Sequence, residues 1–119
     1  MAYIDTLSQI LIALGIYNVW LLRFGKPTIW RGGTAQNMKE EFAAYGLPPA
    51  VMYVVGFLKL SFATMLLIGI ALPFLVRPAA FGMAILMVGA IILHIKVSDP
   101  IKRSLPAAIM LGLSLVVLF

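Results

Sequence analysis

Cysteine is absent from the 119 residues, which excludes disulfide bonds, thiolate metal sites and iron–sulfur clusters. Charge is scarce, because only 11% of the residues are Asp, Glu, Lys or Arg, whereas soluble domains carry about a quarter. The single histidine and the four acidic residues are too few and too scattered to converge on a metal ion. We therefore expect no metal site. A phosphate-binding loop and a dinucleotide fingerprint are also missing from the sequence.

Hydrophobic residues, in contrast, make up 63% of the chain. A soluble chain of this length buries only part of its surface, so it could not bury this many apolar side chains. The sequence therefore predicts a protein whose main partner is the lipid bilayer. The net charge of +5 lies beside apolar runs, where basic residues contact anionic lipid head groups. We expect no nucleic-acid partner.

The apolar runs predict one all-α domain over residues 1–119, an integral membrane, antiparallel four-helix bundle. Its expected spans cover about residues 4–24, 49–76, 78–95 and 104–119. Only Arg77 and Pro78 separate the second span from the third, so these two helices are expected to be antiparallel neighbours.

A short amphipathic helix is predicted between spans one and two, over about residues 34–45. Thr34 is its expected N-cap, and Gly46 follows its end. Apolar side chains recur there at three- and four-residue steps, at Ala35, Met38, Phe42 and Tyr45. A connector that hides its apolar stripe and a lid over the bundle are both compatible with this pattern.

Basic residues are distributed unevenly between the two ends of the predicted bundle. Arg77 stands alone at one end, and seven basic residues flank the first and third connections: Arg23, Lys26, Arg31, Lys39, Lys96, Lys102 and Arg103. Because basic loops stay in the cytoplasm, we expect a multi-pass cell-membrane protein with both termini outside and the basic loops inside.

Polar residues inside apolar spans are the candidates for function, since a bilayer makes them costly. Lys59 lies eighteen residues before Arg77 and His94 seventeen after it, which predicts equal depth in a hairpin that turns at Arg77. Asn18 and Asp99 are expected near the same level. These four residues are our candidates for ligand binding, with Met38, Phe42, Tyr45, Gly56 and Gly89 as pocket or lid residues.

Each polar candidate also has a structural alternative. Lys59 can extend to the head groups, His94 can bond a backbone carbonyl, and Asn18 can join two helices. The Asp99 carboxylate can begin a turn or pair with Lys59, His94 or Lys102. Three aromatic residues are expected as anchors at the membrane interface: Tyr17, Trp20 and Trp30.

Two stretches of the chain resemble the DoxX-like membrane proteins. One is residues 89–100 (GAIILHIKVSDP) with Leu105-Pro106-Ala107 after it. The other is residues 45–48 (YGLP) leading into residues 55–60 (VGFLKL) and 66–69 (LLIG). The resemblance implies a four-helix bundle in the cell membrane, with Gly56, Gly89 and His94 at family positions. Many family members carry an acidic residue near the position of Lys59, so this chain departs from them there.

The family that the chain resembles is named for a subunit associated with quinone-linked thiosulfate oxidation, and related animal proteins are receptor-assembly chaperones. Together with the polar candidates, this favours a pocket within the bundle for a lipophilic ligand, such as a quinone or another lipid, in a protein that assists a membrane redox partner. The alternative is an assembly module that packs on a larger membrane protein. A transporter ranks third, because four short helices need a homo-oligomer to form a path.

Overall fold

A computed structural model describes residues 2–26 and 31–119 and contains five α-helices in them. They are α1 (Ala2–Tyr17), α2 (Met38–Ala44), α3 (Pro49–Ile68), α4 (Val76–Lys96) and α5 (Leu105–Leu118). A π-helical turn (Asn18–Leu22) extends α1, and 3-10 turns precede α4 (Pro73–Leu75) and α5 (Ile101–Ser104). No β-strand occurs in these two ranges.

Four helical segments are long and apolar enough to cross a membrane: Tyr3–Leu22, Pro49–Ile68, Pro73–Lys96 and Ile101–Leu118. They form a closed ring, in which α1 and α4 each pack between α3 and α5. The bundle measures 40 × 25 × 19 Å, long enough for a hydrocarbon core of about 30 Å. The predicted all-α, four-helix membrane architecture is confirmed.

Helix packing combines a small buried core with a broad apolar exterior. The side chains of Ile12, Met52, Leu66 and Met83 are at most 1% exposed. Leucine, isoleucine and phenylalanine cover much of the outer surface, as lipid contact requires. Small residues allow the helices to approach closely. At Gly82 of α4, for example, a side chain would collide with the ring of Phe62 on α3.

The turn between the second and third spans lies earlier in the chain than the sequence predicted. Helix α3 ends at Ile68, and Arg77 falls in the first turn of α4, together with a proline that is tolerated there. Lys59 is therefore nine residues from the end of α3, while His94 is eighteen residues into α4. At 1.5 Å per residue, the Cα atoms of Lys59 and His94 therefore differ in depth by about 13 Å along the bundle. The prediction of equal depth is wrong.

The segment before α3, residues 31–47, folds over one end of the bundle, and we call it the cap. Its helix α2 is shorter than predicted, and the N-cap is Asn37, whose side chain accepts a bond from the Glu40 backbone at 2.8 Å. Thr34 therefore does not cap it. Gly46, at φ 79°, follows the helix as expected. All four residues of the predicted apolar stripe are buried: Ala35, Met38, Phe42 and Tyr45.

Candidate functional site

A cavity of about 850 Å³, only partly enclosed, lies between the helices beneath the cap. Helices α1, α3, α4 and α5 provide mostly apolar walls, and the cap closes one end. The polar and charged side chains along it are Asn18, Arg23, Arg31, Glu41, Tyr45, Lys59, His94 and Arg103. This volume falls in the usual range of small-molecule sites.

Lys59 occupies the deeper part of the cavity, next to Trp20. Its Nζ lies 5.6 Å from the centre of the Trp20 ring, an arrangement that allows a cation–π interaction. Trp20 is 7% exposed and packs against Phe24 and Phe42. It is therefore a core residue, so the expectation that it anchors the protein at the membrane interface is wrong. Trp30, expected in the same role, lies outside the described residues.

His94 and Asp99 lie at the capped end. The Nδ1 atom of His94 is 2.8 Å from the Asp99 carboxylate, whose other oxygen accepts from the Gly33 backbone N–H and from Arg103, both at 3.0 Å. Arg103 also donates to the carbonyl of Gly33. One carboxylate therefore joins α4, the start of α5 and the cap. Of the three partners that the sequence allowed for Asp99, only His94 contacts it in the structure. Arg103 is a second partner that was not predicted.

The hydrogen-bond chain continues from His94 into the cap. Nε2 of His94 is 3.4 Å from the Tyr45 hydroxyl, which donates to Glu41 at 2.9 Å. The other oxygen of Glu41 accepts from Arg31 at 3.1 Å. Arg31 is 4% exposed and also donates to backbone carbonyls at the end of the first span, including that of Arg23.

Burial and neighbouring groups shift the pKa of two residues in this hydrogen-bond network, Asp99 and Tyr45. Burial alone raises the pKa of the Asp99 carboxyl, but the bonds from His94 and Gly33 and the charge of Arg103 outweigh it and hold the pKa below its ordinary value. Burial, and after it the nearby Glu41 carboxylate, raise the pKa of Tyr45 far above its ordinary value. At neutral pH, Asp99 is therefore an anion and Tyr45 a neutral phenol.

The residues predicted from sequence separate into three groups. Seven of them line the cavity: Asn18, Met38, Phe42, Tyr45, Lys59, Gly89 and His94. Asp99 lies behind His94 and orients it. Gly56 does not line the cavity, because it packs beneath Trp20, and a Cβ on it would lie 2.6 Å from that ring.

Four charged residues of the site were not predicted as such: Arg23, Arg31, Glu41 and Arg103. They lie in or next to connections, where charged side chains are usually solvated. Within residues 2–26 and 31–119, no group of three or more His, Asp or Glu could hold a metal ion.

The charges along the cavity favour oxygen acceptors on a ligand. Four cationic side chains face it, from Arg23, Arg31, Lys59 and Arg103, against the single carboxylate of Glu41. Arg31 and Arg103 already have carboxylate and carbonyl partners. Lys59 and Arg23 have no ion-pair partner within the described part of the chain, but Arg23 is exposed whereas Lys59 is partly buried. The Lys59 ammonium is therefore the cation within the cavity whose charge is left without a partner.

Comparison with curated proteins and with solved structures returns no match. A family model does match, over residues 9–117, which is nearly the whole chain and takes in most or all of each of the four spans. This small multi-pass membrane protein therefore belongs to the DoxX-like family.

Proposed function

We propose that the bundle binds a lipophilic molecule with an oxygen-bearing head group in the cavity beneath the cap. The observation that carries this proposal is the Lys59 ammonium beside Trp20 in a cavity of about 850 Å³. An ammonium in apolar surroundings is costly unless an acceptor compensates it. A ligand carbonyl or anionic oxygen supplies that acceptor.

A quinone combines the features that this cavity favours. Its carbonyl oxygens accept from Lys59, its flat ring packs on Trp20, and its tail occupies the apolar walls. His94 would exchange protons at the capped end of the cavity. In this proposal the protein assists a membrane redox partner, in keeping with the quinone link in the name of its family.

Tryptophan fluorescence tests the proposal directly. The chain has two tryptophans, so a Trp30→Phe background leaves Trp20 as the only indole, and it lines the cavity. Titration with a short-tailed benzoquinone is expected to quench Trp20 saturably. Loss of one charge-assisted hydrogen bond costs about 1.5–3 kcal/mol, so Lys59→Met should weaken binding by about 10- to 100-fold.

Matched variants distinguish the site from nonspecific partitioning into detergent or lipid. Lys102→Met removes an exposed lysine outside the cavity and should leave the quenching curve unchanged. His94→Phe removes the polar contact at the capped end, and we expect weaker binding than in wild type. Linear quenching that is identical in wild type and Lys59→Met would contradict the proposal.

The alternative, an assembly module for a larger membrane protein, predicts a different pattern. Gly112 is exposed on α5, and a side chain there would meet no atom within 4 Å. Gly112→Leu therefore changes the outer surface without disturbing the bundle. If it disrupts a complex purified in mild detergent while Lys59→Met has no effect on any ligand, the assembly function is favoured. Phe42→Ser is a poorer probe, because Phe42 is 5% exposed and supports the cap.

A further inference from the structure

Tyr45 lies between two groups that both face its single hydroxyl. The phenol oxygen is 2.9 Å from Glu41 Oε2 and 3.4 Å from His94 Nε2. A hydroxyl has one proton to donate, and its oxygen can accept in return. The protonation states of Glu41 and His94 therefore decide whether both contacts can be hydrogen bonds at once.

With Glu41 ionised and His94 neutral, only one of the two contacts can be a hydrogen bond. His94 Nδ1 faces the Asp99 carboxylate at 2.8 Å, so Nδ1 carries the imidazole proton and Nε2 is an acceptor. Glu41 is then an acceptor as well. Tyr45 satisfies only one of them.

One additional proton satisfies every contact, and it can occupy either end of the chain. If it is on His94, Nε2–H donates to the Tyr45 oxygen and Tyr45 donates to Glu41. If it is on Glu41, the carboxyl donates to the Tyr45 oxygen and Tyr45 donates to His94 Nε2. The two arrangements differ by the concerted movement of two protons and keep the same heavy-atom contacts.

We propose that Glu41, Tyr45 and His94 form a proton relay that stores one proton and passes it between Glu41 in the cap and His94 on α4. In each transfer, the oxygen of Tyr45 gains a proton from one partner as its own proton moves to the other. The phenol returns to its neutral form, so no net charge is left on it. Burial and the neighbouring Glu41 carboxylate disfavour a tyrosinate intermediate, which favours this concerted transfer.

Charged groups around the relay hold its ends in place. Arg31 and Tyr45 face Glu41, Asp99 faces His94, and Arg103 is bonded to Asp99. Lys96 donates to the backbone carbonyl of Tyr45 at 2.9 Å, and Lys59 and Arg23 share the cavity with His94 and Glu41. Among Glu41, His94 and Asp99, Glu41 has the most accessible side chain, at 15% exposure against 8% for His94 and 4% for Asp99. Protons therefore enter the relay most readily at Glu41.

The relay does not depend on any ligand, so it can be tested on the purified protein alone. The chain has a single histidine and two glutamates, Glu40 and Glu41, which makes selective labelling simple to interpret. In protein with ¹⁵N-histidine and ¹³C-glutamate, we expect Nδ1 of His94 to stay protonated throughout a pH titration. In the step in which the shared proton is lost, the shifts of His94 Nε2 and of the Glu41 carboxyl should change together with one common midpoint, because that step belongs to the pair.

Tyr45→Phe removes the bridging hydroxyl and should separate the two midpoints, and Glu41→Gln should leave His94 with a simple one-site curve. Tyr17→Phe is the matched control, because it removes a hydroxyl bonded to Thr64 elsewhere in the bundle, and it should keep the common midpoint. Separate midpoints in wild type, or a common midpoint that persists in Tyr45→Phe, would overturn the relay. Neither result affects the test of quinone binding by Trp20 quenching.

Discussion

Replacing Asp99 by alanine tests how strongly the connection before α5 holds the cap. The carboxylate accepts bonds from His94, Gly33 and Arg103, and its side chain is only 4% exposed. Removing one member of a buried ion pair costs about 3–5 kcal/mol. Because the Arg103 side chain is 31% exposed and keeps its bond to the Gly33 carbonyl, we take about 3 kcal/mol. The open population of the cap should therefore rise about 100-fold.

Hydrogen exchange at the Met38 backbone amide measures this opening. Met38 N–H donates to the Phe24 carbonyl at 2.9 Å, so it reports contact between the cap and the first span without touching Asp99. We expect exchange about 100-fold faster in Asp99→Ala. The control is Asp5→Ala, at the opposite end of the bundle, which should leave Met38 unchanged. Equal exchange in wild type and Asp99→Ala would refute the role assigned to Asp99.

The same carboxylate predicts how the cap responds to acid. The pKa of Asp99 is lower in the closed cap than its ordinary value of 3.8. Its contribution is therefore fully present above that ordinary pKa and is lost as pH falls through the lowered pKa. After correction for intrinsic exchange, the protection of Met38 should be constant near neutral pH and decline only below about pH 4. A loss of protection that begins well above pH 4 would contradict this assignment.

Two further predictions concern packing and orientation. Gly56→Ala places a methyl group 2.6 Å from the Trp20 ring and should destabilise the bundle by about 1–3 kcal/mol, measured as a lower thermal unfolding midpoint; an unchanged midpoint would show that the ring moves freely. Because the chain has no native cysteine, single cysteines at Lys39, Lys102 and Arg77 can be labelled without background. A membrane-impermeant maleimide applied to intact cells should label position 77 and spare positions 39 and 102; the reverse pattern would place the termini in the cytoplasm.

The helical scaffold was readable from sequence because long apolar runs have few alternatives in a bilayer. The position of the turn between the second and third spans could not be predicted in the same way. Residues 70–76 are almost as apolar as the helices around them, and Arg77 was the only charged residue that offered a boundary. Pro73 marks the actual break, and Pro78 lies within the first turn of α4. That shift staggers Lys59 and His94 along one cavity.

The candidate site was predictable only where a residue was out of place in its surroundings. Lys59 and His94 stood out because polar groups inside apolar spans are costly. Arg31 and Glu41 did not, since a connection normally leaves such residues in water. The bond between Arg103 and Gly33 joins residues 70 positions apart, and no local pattern of the sequence encodes it. The cap network therefore required the tertiary structure.

Two glycines allow a direct test of whether the cavity beneath the cap holds a lipophilic ligand. A side chain at Gly89 or at Gly112 would meet no atom within 4 Å, but only Gly89 lines the cavity. Both substitutions by leucine should preserve folding, since leucine favours a helix by about 1 kcal/mol relative to glycine.

The decisive measurement is mass spectrometry of the lipids that copurify with each variant in mild detergent. We predict that wild type and Gly112→Leu retain the same acceptor-bearing lipophile in comparable amounts, and that Gly89→Leu loses it. An identical set of copurified lipids in all three proteins would contradict ligand binding in the cavity beneath the cap.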